Sequence, residues 1–522
     1  MSSDRARKVL ISDSLSQEGV KKLEQAGIQV KMDPSLDGDT LKKAISEYDG
    51  LIIRSGTTVT GDIIENGKNL KIIGRAGVGV DNVDIQAATR KGVIVMNTPS
   101  GNTISACEHT WALLLSLVRN VPRAHQSLKE GKWDKKNNEG TEIFGKTLGI
   151  VGLGKIGYEV AKRALSFGMK VLVHDPYTTE EVAKEVKAEL VEFEELLEKS
   201  DIITIHAPKN EKTKNMISVD AIYKMKEGVF IVNCARGGIV DEKAVADAVK
   251  TGKIRGAAFD VYDKEPTTES PVIGIDGIVH TPHLGASTEE AQERVATEIV
   301  DQIIQYFTEG KIINAVNITG SDLDPSLAEL ATKLGILCGR MSEHLTDSIL
   351  ISYKEQTIGG QEDAIVRAVL NGYLSQFNEG VNYINAILIA EEKGIGVIRQ
   401  KLSSRVSSGD ISISLGDEFK ISGVVLGGAA RLMEINGYIV DVPLSGSMLV
   451  IKNSDIPGVI GHIGTVLGAH GVNIASMEVG RKSAGGQAVT VIAVDHKVDE
   501  KVIEELKSEE SIIDVKNIEV GQ

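Results

Sequence analysis

Apolar and polar positions alternate along the first 283 residues between short hydrophobic runs and amphipathic stretches. Ten runs rich in β-branched residues predict buried strands, at 8–11, 50–54, 70–74, 93–96, 147–152, 170–174, 202–206, 229–233, 257–261 and 278–281. Helical patterns separate them, and residues 106–121 predict a long, mostly buried helix. Strands that alternate with helices predict two α/β units with parallel sheets.

A second long helix is predicted to start near Ser287, because Ser287 and Glu290 have the spacing of a capping box. Apolar residues recur after it at helical spacing: Ala291, Val295, Ile299, Ile303 and Phe307. At about 1.5 Å per residue, this helix is long enough to carry the chain from one domain back to the other.

The pattern changes from residue 322 onward. A leucine-rich helix comes first, and Asn436-Gly437 between two strand-like runs predicts a type I′ hairpin. From residue 448 the order is strand, helix, strand, strand, helix, strand, which is the β-α-β-β-α-β arrangement. The last third therefore predicts two further α+β domains.

Length and charge narrow the class of protein. A chain of 522 residues is too long for one hydrophobic core. A net charge of −15 and a pI near 5.3 argue against nucleic-acid or membrane-surface partners, which need a basic face. Three widely separated cysteines without CxxC spacing predict neither a disulfide framework nor a metal site. The amino-terminal segment resembles no signal peptide, so we expect a cytoplasmic protein.

The motif GLGKIG, at residues 152–157, follows one predicted strand and opens a helix. Gly152 suits the tight turn, Gly154 lets the backbone approach a pyrophosphate, and Gly157 lets the helix pack on the strand. The phosphates are expected at the helix N-terminus, where unpaired N–H groups point outward. The alternative is a glycine-rich turn that serves packing alone.

Asp175 favours the dinucleotide interpretation. It ends the next strand, eighteen residues after Gly157, near the spacing of about 20 expected for a ribose-binding acid. Its carboxylate can accept from both ribose hydroxyls but repels a 2′-phosphate. Because neither arginine nor lysine follows in HDPYTT, NAD is predicted rather than NADP.

Arg236, Glu265 and His283 follow three successive predicted strands. Open α/β sheets bind ligands at the carboxyl ends of their strands, so these side chains are expected to border one crevice. A guanidinium grips a carboxylate with two hydrogen bonds, and a histidine can move a proton near neutral pH. A carboxylate beside the histidine fixes its tautomer. Singly, each could be a surface ion pair or an ordinary histidine, as we expect for His109, His125 and His206.

These motifs resemble the signature of a known family. GLGKIG, the arginine of NCARGG, the glutamate of VYDKEP and the histidine of TPHLGAST resemble the D-isomer-specific 2-hydroxyacid dehydrogenases. IIRSGTTVT and IGRAGVGVDNVD resemble the members of that family whose substrate is D-3-phosphoglycerate. The resemblance covers the whole chain and implies NAD-dependent oxidation of D-3-phosphoglycerate to 3-phosphohydroxypyruvate, the first step of the phosphorylated route to serine.

The resemblance also implies an architecture. Residues 98–283 would form a Rossmann NAD domain, inserted in a flavodoxin-like substrate domain made of residues 1–97 and 284–316. Both would be doubly wound parallel sheets. An α+β intervening domain at 317–445 and a ferredoxin-like ACT domain at 446–522 would follow. The family implies a homo-oligomer, either a dimer or a tetramer.

Further site residues are implied by the resemblance alone. Those for the substrate are Arg54, Ser55, Arg75, Val78, Gly79, Asn102 and Lys135, the last of them contributed across a subunit interface. Those for the cofactor, in addition to Gly152, Gly154, Gly157 and Asp175, are Lys155, Ile156, Pro208, Cys234, Asp260 and Gly285. Val78 departs from the family pattern, which often has threonine or another small residue there, so backbone N–H groups are expected to serve instead.

The segment NSDIPGVIGHIGTVLGAHGVNIASMEV resembles an ACT domain, which binds amino acids between paired copies. Asp455 and Asn473 match serine-binding positions, and Asn453 stands where relatives carry histidine or tyrosine. A purely structural dimerisation module is the alternative. In the preceding domain, Arg431 and, at its border, Lys452 are possible anion ligands, and an oligomer spacer is equally compatible with the sequence.

Two other functions compete with the main one. The first is another D-2-hydroxyacid dehydrogenase, such as a glyoxylate or hydroxypyruvate reductase. Against it stand the cationic Arg54, Arg75 and Lys135, which favour a phosphorylated substrate. The second is a catalytically idle, amino-acid-sensing dimer, which the intact set of Arg236, Glu265 and His283 argues against.

Overall fold

A computed structural model describes residues 5–318, 323–355, 359–402, 409–416 and 419–521. The described chain forms two compact units. The first unit comprises the described residues up to 75, residues 80–97 and the described residues from 301 onward, and the second comprises residues 76–79 and 98–300. The domain boundaries predicted from the sequence stay predictions.

The first unit begins with a five-stranded parallel sheet in the order β2-β1-β3-β4-β5. Its strands are β1 (Lys8–Ile11), β2 (Gln29–Met32), β3 (Gly50–Ile53), β4 (Ile72–Arg75) and β5 (Ile94–Met96). Its helices are α1 (Gln17–Gln25), α2 (Gly38–Ala44), α3 (Gly61–Asn66) and α4 (Ile85–Lys91), with a 3-10 turn at Ile45–Glu47. This is the predicted flavodoxin-like order.

The second unit contains a seven-stranded parallel sheet in the order β12-β11-β10-β9-β6-β7-β8. Its strands are β6 (Thr147–Val151), β7 (Lys170–His174), β8 (Glu189–Leu190), β9 (Ile202–Ile205), β10 (Val229–Asn233), β11 (Ile254–Phe259) and β12 (Ile278–His280). The order reverses at β6, as in the dinucleotide-binding fold that the sequence predicts. The two predicted α/β sheets are therefore confirmed.

Helices surround this second sheet. They are α5 (Thr103–Val118), α6 (Val121–Lys129), α7 (Lys155–Ser166), α8 (Glu180–Glu185), α9 (Phe193–Lys199), α10 (Val219–Lys224) and α11 (Glu242–Thr251), with a 3-10 turn at Lys136–Asn138. The long helix α12 (Glu289–Glu309) follows β12. Its cap differs from the expected one: the hydroxyl of Thr288 accepts from the Ala291 N–H at 3.1 Å, so Thr288 rather than Ser287 serves as the cap.

The first unit continues with a mixed six-stranded sheet in the order β14-β13-β15-β16-β17-β18. Its strands are β13 (Ser348–Lys354), β14 (Gly396–Leu402), β15 (Ile411–Leu415), β16 (Phe419–Leu426), β17 (Ala429–Ile435) and β18 (Tyr438–Pro443), and its helices are α13 (Pro325–Met341), α14 (Glu362–Leu374) and α15 (Ala386–Glu392). The predicted hairpin joins β17 to β18, and both Asn436 and Gly437 have the positive φ of a type I′ turn.

The chain ends in an antiparallel sheet in the order β20-β21-β19-β22. Its elements run β19 (Ser447–Ser454), α16 (Val459–Ala469), β20 (Ile474–Arg481), β21 (Gln487–Val494), α17 (Glu500–Lys507) and β22 (Ile512–Glu519). The predicted β-α-β-β-α-β order is confirmed.

The two central strands of this last sheet, β19 and β21, are buried on both faces. Leu449, Ile451 and Ile492 belong to a core beneath α16 and α17. The side chains on the opposite face of the sheet, among them Met448 and Val450, pack into one continuous core with the helices and strands of the mixed sheet. The two carboxyl-terminal sheets thus share a hydrophobic core, which we call the shared core.

Within the two parallel sheets, two strands, β2 and β8, have no counterpart in the sequence prediction. β2 is a half-exposed edge strand of alternating polarity, QVKM, and β8 has two residues. Neither shows the apolar run that marks a buried strand. Among the described residues, no helix is both long and apolar enough to cross a membrane.

Candidate active site

The glycine loop between β6 and α7 has the backbone geometry that a dinucleotide requires. Gly152 adopts a φ of +94°, and a Cβ there would lie 2.8 Å from the carbonyl oxygen of His206. A Cβ at Gly157 would lie 2.1 Å from the carbonyl oxygen of Gly152. Side chains are therefore excluded at both positions by the protein itself.

Gly154 differs from its two neighbours, because a Cβ built on it meets no atom within 4 Å. It caps the N-terminus of α7 and borders a cleft of about 530 Å³ lined by residues of the glycine loop, α7 and α5. Lys155 donates to the hydroxyl of Ser100 across this cleft, and Ile156 packs on the core beneath. The open space at the helix N-terminus fits a pyrophosphate.

This contrast predicts opposite behaviour for two alanine variants. Gly154→Ala is expected to keep the melting temperature of the wild type and to raise the Kd for NADH at least about tenfold, since its methyl group enters only the pyrophosphate space. Gly157→Ala is expected to lose about 1–3 kcal/mol of stability by overpacking. Thermal melts and NADH titration check both, and a stable Gly154→Ala variant with unchanged NADH affinity would contradict the phosphate assignment.

Asp175 follows β7 directly and faces the glycine loop. Its Oδ2 accepts from the Leu153 N–H at 2.7 Å, and its Oδ1 accepts from the Tyr177 N–H at 2.8 Å. A carboxylate has about four acceptor sites, so two amides leave capacity for ribose hydroxyls. The structure therefore places the predicted acid next to the predicted phosphate loop.

Asp175→Ala is expected to weaken NAD binding about tenfold or more. It should also reduce the difference in affinity between NAD and NADP, because the charge that repels a 2′-phosphate is gone. Glu180→Ala is the matched control, since that carboxylate lies five residues on and pairs with Lys184 on the surface. Titration with NADH and NADPH measures both effects. Equal NADH affinity in Asp175→Ala and wild type would exclude the ribose role.

Arg236 lies in the turn after β10, and Asn233 holds that turn. The Asn233 amide donates to the Arg236 carbonyl at 3.0 Å and its oxygen accepts from the Ala235 N–H at 3.1 Å. The partly buried guanidinium donates to the Ala235 carbonyl at 2.7 Å. These hydrogen bonds fix the backbone of the turn and hold the guanidinium beside it.

Glu265 and His283 form a direct pair: Nδ1 of the histidine lies 2.6 Å from Oε2 of the glutamate. The other glutamate oxygen accepts from the Tyr262 N–H at 2.8 Å. Burial opposes ionisation of Glu265, but these two hydrogen bonds outweigh it, so the pKa of Glu265 lies below its ordinary value. An ionised Glu265 favours the tautomer with the proton on Nδ1, which leaves Nε2 as the ring nitrogen that can accept a proton.

The backbone of His283 has a φ of 57°, which non-glycine residues seldom adopt. Its N–H donates to the carbonyl of Asp260 at 2.8 Å. The Asp260 carboxylate accepts from the next two amides, Leu284 and Gly285, at 2.7 and 2.8 Å. One fully buried aspartate therefore secures three consecutive amides of the histidine loop.

The Asp260 carboxylate also accepts from the Thr281 hydroxyl at 2.6 Å and lies 3.1 Å from Nε2 of His109. Burial raises the cost of ionisation, but these partners and the Leu284 amide outweigh it and hold the pKa of Asp260 below its ordinary value. Its oxygens are thus engaged by the protein. Asp260 and Gly285, both predicted as cofactor contacts, form the support beneath the His283 loop.

The remaining predicted cofactor residues have simpler surroundings. Desolvation, with a contribution from the charge of Asp260, raises the pKa of the Cys234 thiol to about 12, so it stays protonated at neutral pH. Pro208 is exposed, and its carbonyl accepts from the Thr213 hydroxyl at 2.6 Å. Both stay predicted contacts.

Four supporting residues escape the sequence interpretation. His109 was expected to be an ordinary histidine, yet it joins the Asp260 network, and Asn233, Tyr262 and Thr281 were not singled out. Asn233, Tyr262 and Thr281 each lie within three residues of a predicted site residue, whereas His109 lies on α5, far from them in the sequence. The only sequence signal that could have identified those three was their position beside the motifs of Arg236, Glu265 and His283.

The predicted substrate residues of the first unit stand at the ends of two adjacent strands. Arg54 follows β3, and its N–H donates to Asp13 at 2.6 Å while its guanidinium donates to the Ser14 carbonyl at 3.4 Å. Ser55 is exposed beside it, and Arg75 ends β4 partly buried. Because β3 and β4 are parallel neighbours, Arg54 and Arg75 lie at the same end of this sheet, where both strands finish.

The predicted substrate residues of the second unit are more scattered. Val78 and Gly79 are partly buried, and Lys135 is exposed just before the 3-10 turn. Asn102 precedes α5, and its side-chain oxygen is buried without a hydrogen-bond partner in the described chain. An unsatisfied buried acceptor costs free energy, so Asn102 is the member of this set whose geometry most invites a ligand.

The predicted effector residues separate into two kinds. Asp455 accepts from the Gly485 N–H at 3.1 Å and Asn473 donates to Asp495 at 2.8 Å, both near the surface. Asn453 is 2% exposed, and its oxygen accepts from the Thr490 hydroxyl at 2.9 Å inside the sheet. The structure therefore does not bring Asn453 to the surface with the other two. Arg431 pairs with Asp441, and Lys452 is exposed.

Comparison with known proteins agrees with this geometry. Residues 111–285 match the family described as D-isomer specific 2-hydroxyacid dehydrogenase, NAD binding domain. Residues 323–436 match the D-3-phosphoglycerate dehydrogenase intervening domain, and residues 447–511 match the ACT domain.

Similarity to curated relatives extends over nearly the whole chain. A D-3-phosphoglycerate dehydrogenase of Methanocaldococcus jannaschii is 41% identical over 519 residues, which covers 97% of this chain and 99% of that one. A D-3-phosphoglycerate dehydrogenase of Bacillus subtilis is 40% identical over 527 residues, covering 98% and 99%.

Solved structures match a little more than half of the chain. A glyoxylate reductase from Paecilomyes thermophila has a TM-score of 0.56 and 28% identity, over 60% of this chain and 98% of that one. A D-lactate dehydrogenase from Aquifex aeolicus, complexed with NAD and lactic acid, has a TM-score of 0.52 and 28% identity, over 58% and 96%.

The chain therefore belongs to the D-isomer-specific 2-hydroxyacid dehydrogenase family. It is an NAD-dependent enzyme of that family, with the intervening and ACT domains of its long form.

Proposed function

We propose that the protein oxidises D-3-phosphoglycerate to 3-phosphohydroxypyruvate with NAD and so opens the phosphorylated route to serine. The choice of this acid is carried by one observation, the 41% identity over 519 residues to a relative named D-3-phosphoglycerate dehydrogenase. That similarity covers 97% of the chain, whereas the compared glyoxylate reductase and D-lactate dehydrogenase cover 60% and 58% of it.

In the proposed mechanism, His283 takes the C2 hydroxyl proton on Nε2. Glu265 holds the opposite nitrogen and stabilises the imidazolium that forms, since its carboxylate lies 2.6 Å away. Arg236 binds the substrate carboxylate and the developing keto oxygen. These three roles are supported by the pair geometry and by the fixed backbone around Arg236.

The chemistry that bound NAD would supply is a hydride acceptor for C2. The residues proposed to hold it are those of the glycine loop (Gly152, Gly154, Lys155, Ile156 and Gly157), together with Asp175, Pro208, Cys234, Asp260 and Gly285. For Asp260 and Gly285 we propose an indirect contribution, because their polar atoms already bind each other.

Substrate binding is proposed to use cations and backbone donors. On the first unit, Arg54, Ser55 and Arg75 would bind anionic groups. On the second, the proposed groups are the backbone around Val78 and Gly79, Lys135 from across a subunit interface, and Asn102, whose unsatisfied side-chain oxygen can accept from a substrate hydroxyl. Arginine suits phosphate because its planar donors match two oxygens at once.

Regulation and assembly are also proposals. We propose a cytoplasmic homo-oligomer, a dimer or tetramer, whose ACT domain binds serine at Asp455 and Asn473. The match of residues 447–511 to the ACT family supports a regulatory module. The buried position of Asn453 favours a structural role for that residue over contact with the effector.

One assay separates the proposed function from its competitors. NADH formation is measured with D-3-phosphoglycerate and with D-glycerate, each with and without serine. We expect turnover that strongly favours the phosphorylated acid and falls with serine. Equal turnover of both acids would point to a dehydrogenase of other 2-hydroxy acids, and absence of turnover to an amino-acid sensor.

A further inference from the structure

Glu242 binds both ends of the loop that carries Glu265. It is the first residue of α11, whose N-cap is Asp241. Its Oε1 accepts from the Asp263 N–H at 2.6 Å, and its Oε2 accepts from the Ser270 hydroxyl. A carboxylate anchored on a helix thus spans the loop on either side of Glu265.

The peptide between Tyr262 and Asp263 is the point where this anchor meets the site. The Tyr262 N–H donates to Glu265 at 2.8 Å, and the next N–H, of Asp263, donates to Glu242 at 2.6 Å. The backbone of Gly237 packs directly against the same peptide, since a Cβ at Gly237 would lie 1.7 Å from the Tyr262 carbonyl oxygen. Movement of this peptide would therefore disturb both Glu265 and the turn after Arg236.

Packing gives the loop little support on its outer side. The loop borders a polar cleft of about 580 Å³, lined by Glu242, Asp263 and residues 266–271 among others. The Asp263 side chain is 72% exposed, with Lys209 at 3.3 Å. Tyr262 and Val272 anchor the two ends of the loop in a hydrophobic core, and the hydrogen bonds to Glu242 hold the polar residues Asp263 and Ser270 between them.

We propose that Glu242 is a positioning residue, which holds the Tyr262–Asp263 peptide so that Glu265 meets His283. The inference rests on the proposed function, because it assumes that the Glu265–His283 pair moves the proton. Hydrogen bonds from neutral donors to a carboxylate are among the stronger ones in proteins. A displacement of about 1 Å at a reacting pair can cost about a hundredfold in rate.

The first test is steady-state kinetics of Glu242→Ala. We expect kcat to fall about ten- to a hundredfold, while KM for the acid and Kd for NADH stay within about threefold. Glu242→Gln should recover most of the rate, because an amide can accept from Asp263 and still bond Ser270. Lys243→Ala is the control of unchanged rate, since Lys243 pairs with Asp247 on the surface.

Should Glu242→Ala fold poorly, Ser270→Ala removes only one of the two anchors and is expected to show a smaller fall in kcat. Unchanged kcat in both Glu242→Ala and Ser270→Ala would overturn the proposal. So would a fall in Glu242→Ala that Glu242→Gln does not reverse, because that result would indicate a need for the charge itself.

A double-mutant cycle tests the route through Glu265. In a Glu265→Gln background, Glu242→Ala should cost little further rate, because the residue that it positions is already impaired. Independent, multiplying effects would contradict the proposed route. All ratios are taken with whichever acid the wild type oxidises fastest, so failure with D-3-phosphoglycerate bears only on the proposed substrate.

Discussion

Replacing His283 by alanine is expected to lower kcat by about two to four orders of magnitude, the usual loss when a general acid/base is removed. The Kd for NADH should stay near the wild-type value, because the glycine loop and Asp175 are bonded to each other without help from His283. Stopped-flow or steady-state NADH formation measures the rate, and fluorescence titration measures binding.

His125→Ala is the matched control, since His125 is an exposed histidine on α6 of the same unit and should behave like the wild type. Glu265→Gln should fall between the two, because the tautomer loses its charged partner while Nε2 remains. A rate near that of the wild type in His283→Ala would remove this residue from the chemistry.

Arg236→Ala is expected to lower kcat/KM for the acid by about two to three orders of magnitude, which corresponds to the several kcal/mol lost when a desolvated charge pair loses a partner. Arg236→Lys should recover only part of this loss, since an ammonium cannot make the two parallel hydrogen bonds of a guanidinium. Steady-state kinetics at varied acid concentration, with saturating NAD, separates KM from kcat.

Arg255→Ala provides the comparison. Arg255 lies in the same unit, on β11, with its guanidinium over the ring of Phe230. Its loss should leave kcat/KM close to the wild-type value. If Arg236→Ala and Arg255→Ala behaved alike, Arg236 would have no special part in binding the carboxylate.

Local chemistry explains why the cofactor loop was predictable. Each glycine of GLGKIG has a separate requirement, namely a positive φ at Gly152, open space at Gly154 and close helix packing at Gly157, and the structure shows all three. The position of Asp175 beside that loop was predictable because strand length and turn length fix its distance from the loop. These properties belong to a few neighbouring residues.

The support beneath the loops that carry Glu265 and His283 was not predictable in the same way. Asp260 binds amides of residues 284 and 285, and Glu242 binds residues 263 and 270. Such partners are set by how loops fold over one another, and no spacing rule encodes them. Asn453 shows the same difficulty, because its place in β19 turns the side chain inward to Thr490.

The shared core limits where this chain can be divided. A cut at residue 446 would remove the sheet that covers Val440, Val442 and Leu432, all nearly inaccessible in the intact protein. An exposed apolar face of that extent favours aggregation. Trimming the enzyme to its two amino-terminal sheets therefore requires removing both carboxyl-terminal sheets together.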